Sequence, residues 1–147
     1  MSEHKATVEW RRTSPTFDYD SYNREHLWKF PGGQNWKASA APEFKGSPQC
    51  VNPEEALVAA LSGCHMLTFL SIAARRGIIV DQYGDEAVGF LEKNDQGKMF
   101  VSRVILRPKI VFSGSAPDAE KLKNLHDQAH RNCFIGNSVL TKVDIEL

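Results

Sequence analysis

One stretch constrains what this chain can fold into: Asn52–Gly77, NPEEALVAALSGCHMLTFLSIAARRG. Asn52 is a good N-cap, Pro53 suits the first helical position, and Glu54 and Glu55 put negative charge on the positive helix end. Arg75 and Arg76 fall in the last turn, and Gly77 supplies a left-handed exit. Between them, Ala56 to Ala74 is almost wholly apolar or small, with no charged face. A helix apolar nearly all round is expected to be buried, here as the spine of the fold. Its length of roughly 19 apolar residues approaches that of a membrane span. Ser62, His65, Thr68 and Ser71 point instead to the core of a soluble protein, so no membrane is expected as partner.

The elements around this helix follow from periodicity. His4–Trp10 alternates, with Ala6, Val8 and Trp10 on one side, and reads as a half-buried strand. Arg11–Asn23 is an aromatic, irregular loop, and His26–Phe30 alternates again before the Pro31-Gly32-Gly33 turn. Trp36–Ala41 is a further short strand. After Gly77, strands are expected at Ile78–Tyr83 and Glu86–Lys93, then a hairpin turn at Asn94–Gly97. Met99–Phe112 reads as one long strand, in which Pro108 implies an edge or a bulge. Ser115–Asp118 resembles a capping box opening a second helix to about Asn132, with Leu122, Leu125, Ala129 and then Cys133 on its apolar stripe. Val139–Leu147 is a last strand, with Val139, Thr141, Val143, Ile145 and Leu147 inward. Strands, buried helix, strands, helix, strand make an α+β chain, expected as one domain over residues 1–147.

The charge balance, 18 basic against 18 acidic residues, gives no reason to expect nucleic acid as a partner. The opening MSEHKATVEW has no apolar export region, and three cysteines is an odd count. Together they predict free thiols in a reducing cytoplasm.

Cys64 stands three turns into the apolar helix. By itself a buried cysteine reads as core packing, and the helix dipole fades beyond the first turn. A reactive Cys64 therefore requires a cation brought from another segment. Cys133, on the stripe of the second helix, reads either as core or as the partner thiol of a redox pair. Cys50 sits in a Pro/Gly loop and is read as incidental. His126, His130 and Cys133 cluster at one helix end, but without a CxxC or an acidic third ligand they do not make a zinc pattern. His126 and His130 are expected at the rim of that helix, and no metal is expected. The PGG and GGQN stretches lack the glycine spacing of a phosphate loop.

At this point the residues resemble a known family. Asn52-Pro53-Glu54-Glu55-Ala56-Leu57 through Ala59-Ala60 to Cys64 is similar to the NPEELLAAA…C signature of the OsmC/organic hydroperoxide resistance (Ohr) family. Ala129-His130-x2-Cys133, 69 residues after Cys64, resembles that family's second cysteine motif. The resemblance implies an OsmC-like fold, mostly antiparallel sheets packed around a long buried central helix in an intertwined homodimer. It implies a thiol-dependent peroxidase that reduces organic hydroperoxides to alcohols, without metal or flavin. Cys64 would be peroxidatic and Cys133 resolving, an external dithiol would restore both, and Glu54 would orient an arginine beside the first thiol. Arg11, Arg12 and Arg24 all lie in the window for that arginine, and Arg24 is preferred because it immediately precedes the second strand. Departures from the family pattern are Leu61-Ser62-Gly63 before Cys64, His65 in place of the usual Phe, and Phe134-Ile135 after Cys133.

Glu54 and Cys64 are ten residues apart on one helix, about 15 Å along its axis. A second copy contributing a glutamate or arginine meets this constraint more easily than one chain does, which again predicts a homodimer. The competing reading is a non-enzymatic binding protein, with structural cysteines and an aromatic pocket for a hydrophobic ligand.

Overall fold

The structure, a computed structural model, describes residues 1–147. The chain forms two compact units, Met1–Ala56 and Leu57–Leu147.

The first unit holds an antiparallel meander of β1 (Thr7–Glu9), β2 (His26–Lys29) and β3 (Asn35–Ala38), in that order. Trp28 pairs across with both Val8 and Trp36. A parallel bridge between Ala38 and Val51 and a bond from Ser39 N–H to Val51 O (2.9 Å) tie the end of β3 to the segment before the long helix. Gly46 makes the intervening loop possible, since a Cβ there would lie 1.6 Å from the Ala40 carbonyl oxygen. The expected burial of β1 fails: Val8 is 64% and Trp10 44% exposed.

Helix α1 runs Pro53–Arg75. Asn52 Oδ1 accepts from Glu55 N–H (2.9 Å), and Glu55 Oε2 accepts from Asn52 N–H (3.1 Å), a reciprocal capping box. Capping thus falls to Glu55, and Glu54 is not needed for it. At the other end Gly77 adopts φ +67°, while Gly77 N–H bonds Ala74 O and Ile78 N–H bonds Ala73 O, the two closures of a Schellman motif. Asn52→Ala removes one acceptor of the box and is expected to cost about 1 kcal/mol, read as a lower denaturation midpoint at unchanged m-value.

In the second unit α1 buries one stripe, Leu61, His65, Phe69 and Ala73, at successive i, i+4 positions. Leu61 packs with Val104 and Leu106, ringed by Val101, Val143 and Ile145. Phe69 and Ala73 pack with Leu125 and Ala129 beside Tyr83, Ile110 and Phe112. Full burial of Leu61 or Phe69 contributes about 2 kcal/mol each. The other faces are not covered by this chain: Leu67 is 65% exposed, and Ala59, Ala60, Ser71 and Ala74 are exposed with it. The expectation of burial all round is corrected here. Apolar composition shows that a face avoids water, and does not show which chain covers it.

The long strand expected over Met99–Phe112 is two. β6 (Met99–Leu106) joins β5 (Val88–Lys93) antiparallel and β8 (Lys142–Ile145) parallel, in the order β5-β6-β8. β7 (Pro108–Phe112) leaves that sheet and pairs antiparallel with β4 (Val80–Asp85). The break falls where Pro108 has no N–H to offer a ladder, and Arg107 N–H bonds Asp85 Oδ1 (2.6 Å) instead of a strand. The expected turn at Asn94–Gly97 closes with Asn94 N–H to Lys98 O (2.9 Å). Helix α2 is Ala119–Asn132, ending where the sequence predicts. Its N-cap is Asp118, accepting from Lys121 N–H (2.8 Å), so Ser115 is not the capping residue. In β8 the inward pattern holds for Val143 and Ile145, whereas Leu147 is 63% exposed.

Candidate active site

The second unit brings the two sequence-predicted cysteines together. Cys64 comes from the middle of α1, and Cys133 is the C-cap residue of α2, where its N–H still bonds His130 O (3.3 Å). Both are free thiols; Cys133 is 3% exposed and Cys64 partly so. The segment after Cys133 folds back over them. Ile135 N–H donates to Cys64 Sγ (3.5 Å), and Gly136 N–H donates to Cys133 Sγ (3.3 Å).

The pair is asymmetric. Burial, and the hydrogen bond that the Cys133 thiol makes with Cys64, push Cys133 up to about 11, against the smaller opposing pull of the Gly136 and Ile135 amides. Cys133 therefore rests as a protonated thiol, while each sulfur accepts one backbone amide, Cys64 from Ile135 and Cys133 from Gly136. Such a dithiol can pass between reduced and disulfide forms, with the more accessible sulfur meeting the oxidant first.

Arg24 and Glu54 lie in the first unit. Both line an apolar cavity of about 630 Å³ whose walls include Trp10, Phe17, Tyr22 and Phe44. Of the three arginines in the predicted window, Arg24 alone is buried, at 9% exposed, while Arg11 and Arg12 are exposed. Its guanidinium donates to the carbonyls of Tyr22 and Tyr19, lies 3.6 Å from the Tyr22 ring centroid, and leaves Nε buried without a partner. It is paired with no carboxylate. Cys50 is partly exposed in its loop, and no cluster of metal-ligating side chains forms anywhere in the chain.

Sequence reasoning misplaced one group. His126, expected at a helix rim, is 1% exposed in the core and bonded to His65 of α1, also 1% exposed. The signal was present, since His65 lies midway between Leu61 and Phe69 at four-residue spacing, and His126 falls between Leu122 and Ala129 on the α2 stripe.

The comparisons with known proteins fit this arrangement. The family model described as OsmC-like protein matches residues 46–147, which include both cysteines and both helices. The chain belongs to the OsmC-like family. An OsmC-like protein of unknown function from Vibrio cholerae is 51% identical, with 99% of each chain covered and a TM-score of 0.95. An organic hydroperoxide resistance protein OsmC from Legionella pneumophila shares the fold at 15% identity, with a TM-score of 0.74 over 100% of this chain and 98% of that one. The uncharacterized protein YmaD of Bacillus subtilis is 24% identical over 85% of each chain. Solved structures of organic hydroperoxide resistance proteins, that from Legionella pneumophila and OhrB of Bacillus subtilis, share the fold at 15% and 18% identity, and the expected α+β class with mostly antiparallel sheets is the fold observed.

Proposed function

We propose that this OsmC-like protein is a thiol-dependent peroxidase for organic hydroperoxides, with Cys64 peroxidatic and Cys133 resolving. The observation that carries this reading is the asymmetric dithiol: a partly exposed sulfur beside a buried one held as a thiol. Cys64 thiolate attacks the terminal peroxide oxygen; the S–O bond forms, the O–O bond breaks, and the leaving alkoxide takes a proton to become the alcohol. Cys133 then attacks the Cys64 sulfenic acid, releasing water and forming the disulfide. An external dithiol reduces it by exchange. Arg24 is proposed to hold the thiolate and polarise the peroxide, with Glu54 orienting it; its burial favours it over Arg11 and Arg12. The test is peptide mass mapping of the reduced protein after one equivalent of cumene hydroperoxide. A Cys64–Cys133 linked peptide is expected, and two unlinked thiols after exposure would defeat the reading.

A homodimer is part of the same proposal. The uncovered face of α1, with Leu67 at its centre, is an apolar surface that a second copy would bury. Light scattering should give twice the chain mass, and a Leu67→Lys variant should shift it toward one chain. A fully active monomer would overturn this.

One observation favours the competing reading of a hydrophobic-ligand protein: the aromatic cavity of the first unit is large enough for a small organic molecule. It predicts ligand binding unaffected by alkylating Cys64.

A further inference from the structure

Two buried imidazoles are used by nothing in the redox cycle. His65 Nε2 and His126 Nδ1 are 3.0 Å apart. Their ring planes are parallel within 1° and the centroids are 5.3 Å apart. That is the longest separation two ring radii and a 3.0 Å contact allow, so the rings lie edge to edge in one plane with the shared N–H on the line between them. The outer nitrogens, His65 Nδ1 and His126 Nε2, are buried without partners. Phe69 closes one face of His126, with centroids 4.5 Å apart. This bond is the buried polar link between α1 and α2, in a contact otherwise made by Phe69, Ala73, Leu125 and Ala129, with an exposed bond from Arg76, just past α1, to Gln128 Oε1 (2.7 Å) at its edge.

The proton inventory of this pair is limited. When neutral it holds two ring protons, one inside the bond and one on an outer nitrogen. A third proton keeps the bond but buries a charge. A fourth sets N–H against N–H at the same distance and breaks the bond between two like charges.

The surrounding groups do not relieve this. Asp85 on β4 favours charge on both rings, but its oxygens already accept from Ser62 Oγ and Arg107 N–H. His130 on α2 opposes charge on His65, and Asp127 on α2 favours it on His126 from an exposed position, engaged with Lys123. Tyr83 on β4 is held as a neutral phenol by burial. Burial outweighs these influences, and both imidazoles are pushed down to about 4.

We propose that the His65–His126 bond is an acid-released latch between α1 and α2, and that its release withdraws Cys133 from Cys64. Cys64 neighbours His65 on α1, and Cys133 lies seven residues beyond His126 at the end of α2. The consequence for the cysteines rests on their reading as a working pair; the latch itself does not. Between the ordinary imidazole range and about 4, each proton taken up on opening makes opening about tenfold easier per pH unit.

The test compares the wild-type protein with His65→Leu/His126→Leu, in which both polar partners become apolar groups of similar size. Hydrogen exchange of the α2 amides, corrected for intrinsic rates, is read at about pH 7 and about pH 5. Wild-type opening should rise at least about tenfold on acidification and the variant's should not. In parallel, the Cys64–Cys133 disulfide yield with diamide is measured. The diazene takes two electrons and two protons from any two thiols in reach and becomes the hydrazine, so no peroxidase activity is needed. Wild-type yield at pH 5, relative to the variant, should fall. Equal α2 protection in both proteins at both pH values overturns the latch. Should the variant not fold, the imidazole Cε1–H resonances of the wild type decide: titration near 6.5 with α2 still protected overturns it. Failure to form the disulfide at pH 7 in either protein would count against the cysteine pair alone, because hydrogen exchange judges the latch independently.

Discussion

Cys64→Ser is expected to abolish hydroperoxide turnover, a fall of at least about a thousandfold to the rate without protein. Serine keeps the size of the side chain and accepts from the same Ile135 N–H, so the local structure is preserved. It lacks a nucleophile that ionises in this range. Cys133→Ser should behave differently. Without a resolving thiol, one turnover still consumes peroxide and leaves Cys64 as sulfenic acid, so a single-turnover burst survives while steady-state turnover with a dithiol drops. The burst is also expected to leave Cys64 open to further oxidation, seen as a mass gain of two or three oxygens at high peroxide. The two variants therefore separate the two proposed roles. Full steady-state activity in Cys64→Ser would sink the peroxidase reading, and identical behaviour of the two variants would sink the division of roles. Cys50→Ser is the control and should change neither phase.

Which parts of this protein are legible in the sequence depends on how local their causes are. Both ends of α1 were readable because Asn52, Pro53 and Gly77 act within a turn of themselves. The end of α2 and the hairpin at Asn94–Gly97 were readable for the same reason. The break at Arg107–Pro108 was visible only as an irregularity. That β7 leaves for β4 depends on Asp85, over twenty residues away, capturing the Arg107 amide. The covering of α1 was misjudged because an apolar face does not name its partner, and the single chain fully buries only the Leu61–Ala73 stripe. The two cysteines were legible through spacing and family likeness. Their hydrogen bonds were not, because the amides that reach them belong to Ile135 and Gly136, in a turn whose path no periodicity encodes. The histidine pair joins residues 61 positions apart, and only the stripe positions of each hinted at it.

That pair also governs how the whole protein should respond to acid. Burial holds His65 and His126 at about 4, against an ordinary value of 6.5 in the unfolded chain. Above 6.5 both rings are neutral in both states and the full stability is present. As pH falls below 6.5 the unfolded chain takes up protons that the folded chain refuses, so stability is lost progressively down to about 4 and the pair contributes no further loss below it. For one imidazole titrating alone the shift corresponds to about 3 kcal/mol, a large part of the roughly 5–15 kcal/mol that holds a domain together. Urea midpoints measured in steps from pH 7.5 to pH 4.5 should therefore decline steadily below 6.5. The slope should be close to flat over the same range in His65→Leu/His126→Leu, because the carboxylates Asp18, Asp20 and Asp127, all held below their usual range, lose their contributions only at lower pH. Single variants should be worse than the double one at neutral pH, since each leaves the remaining imidazole buried without its only partner. An acid slope that persists undiminished in the double variant would place the titrating groups elsewhere.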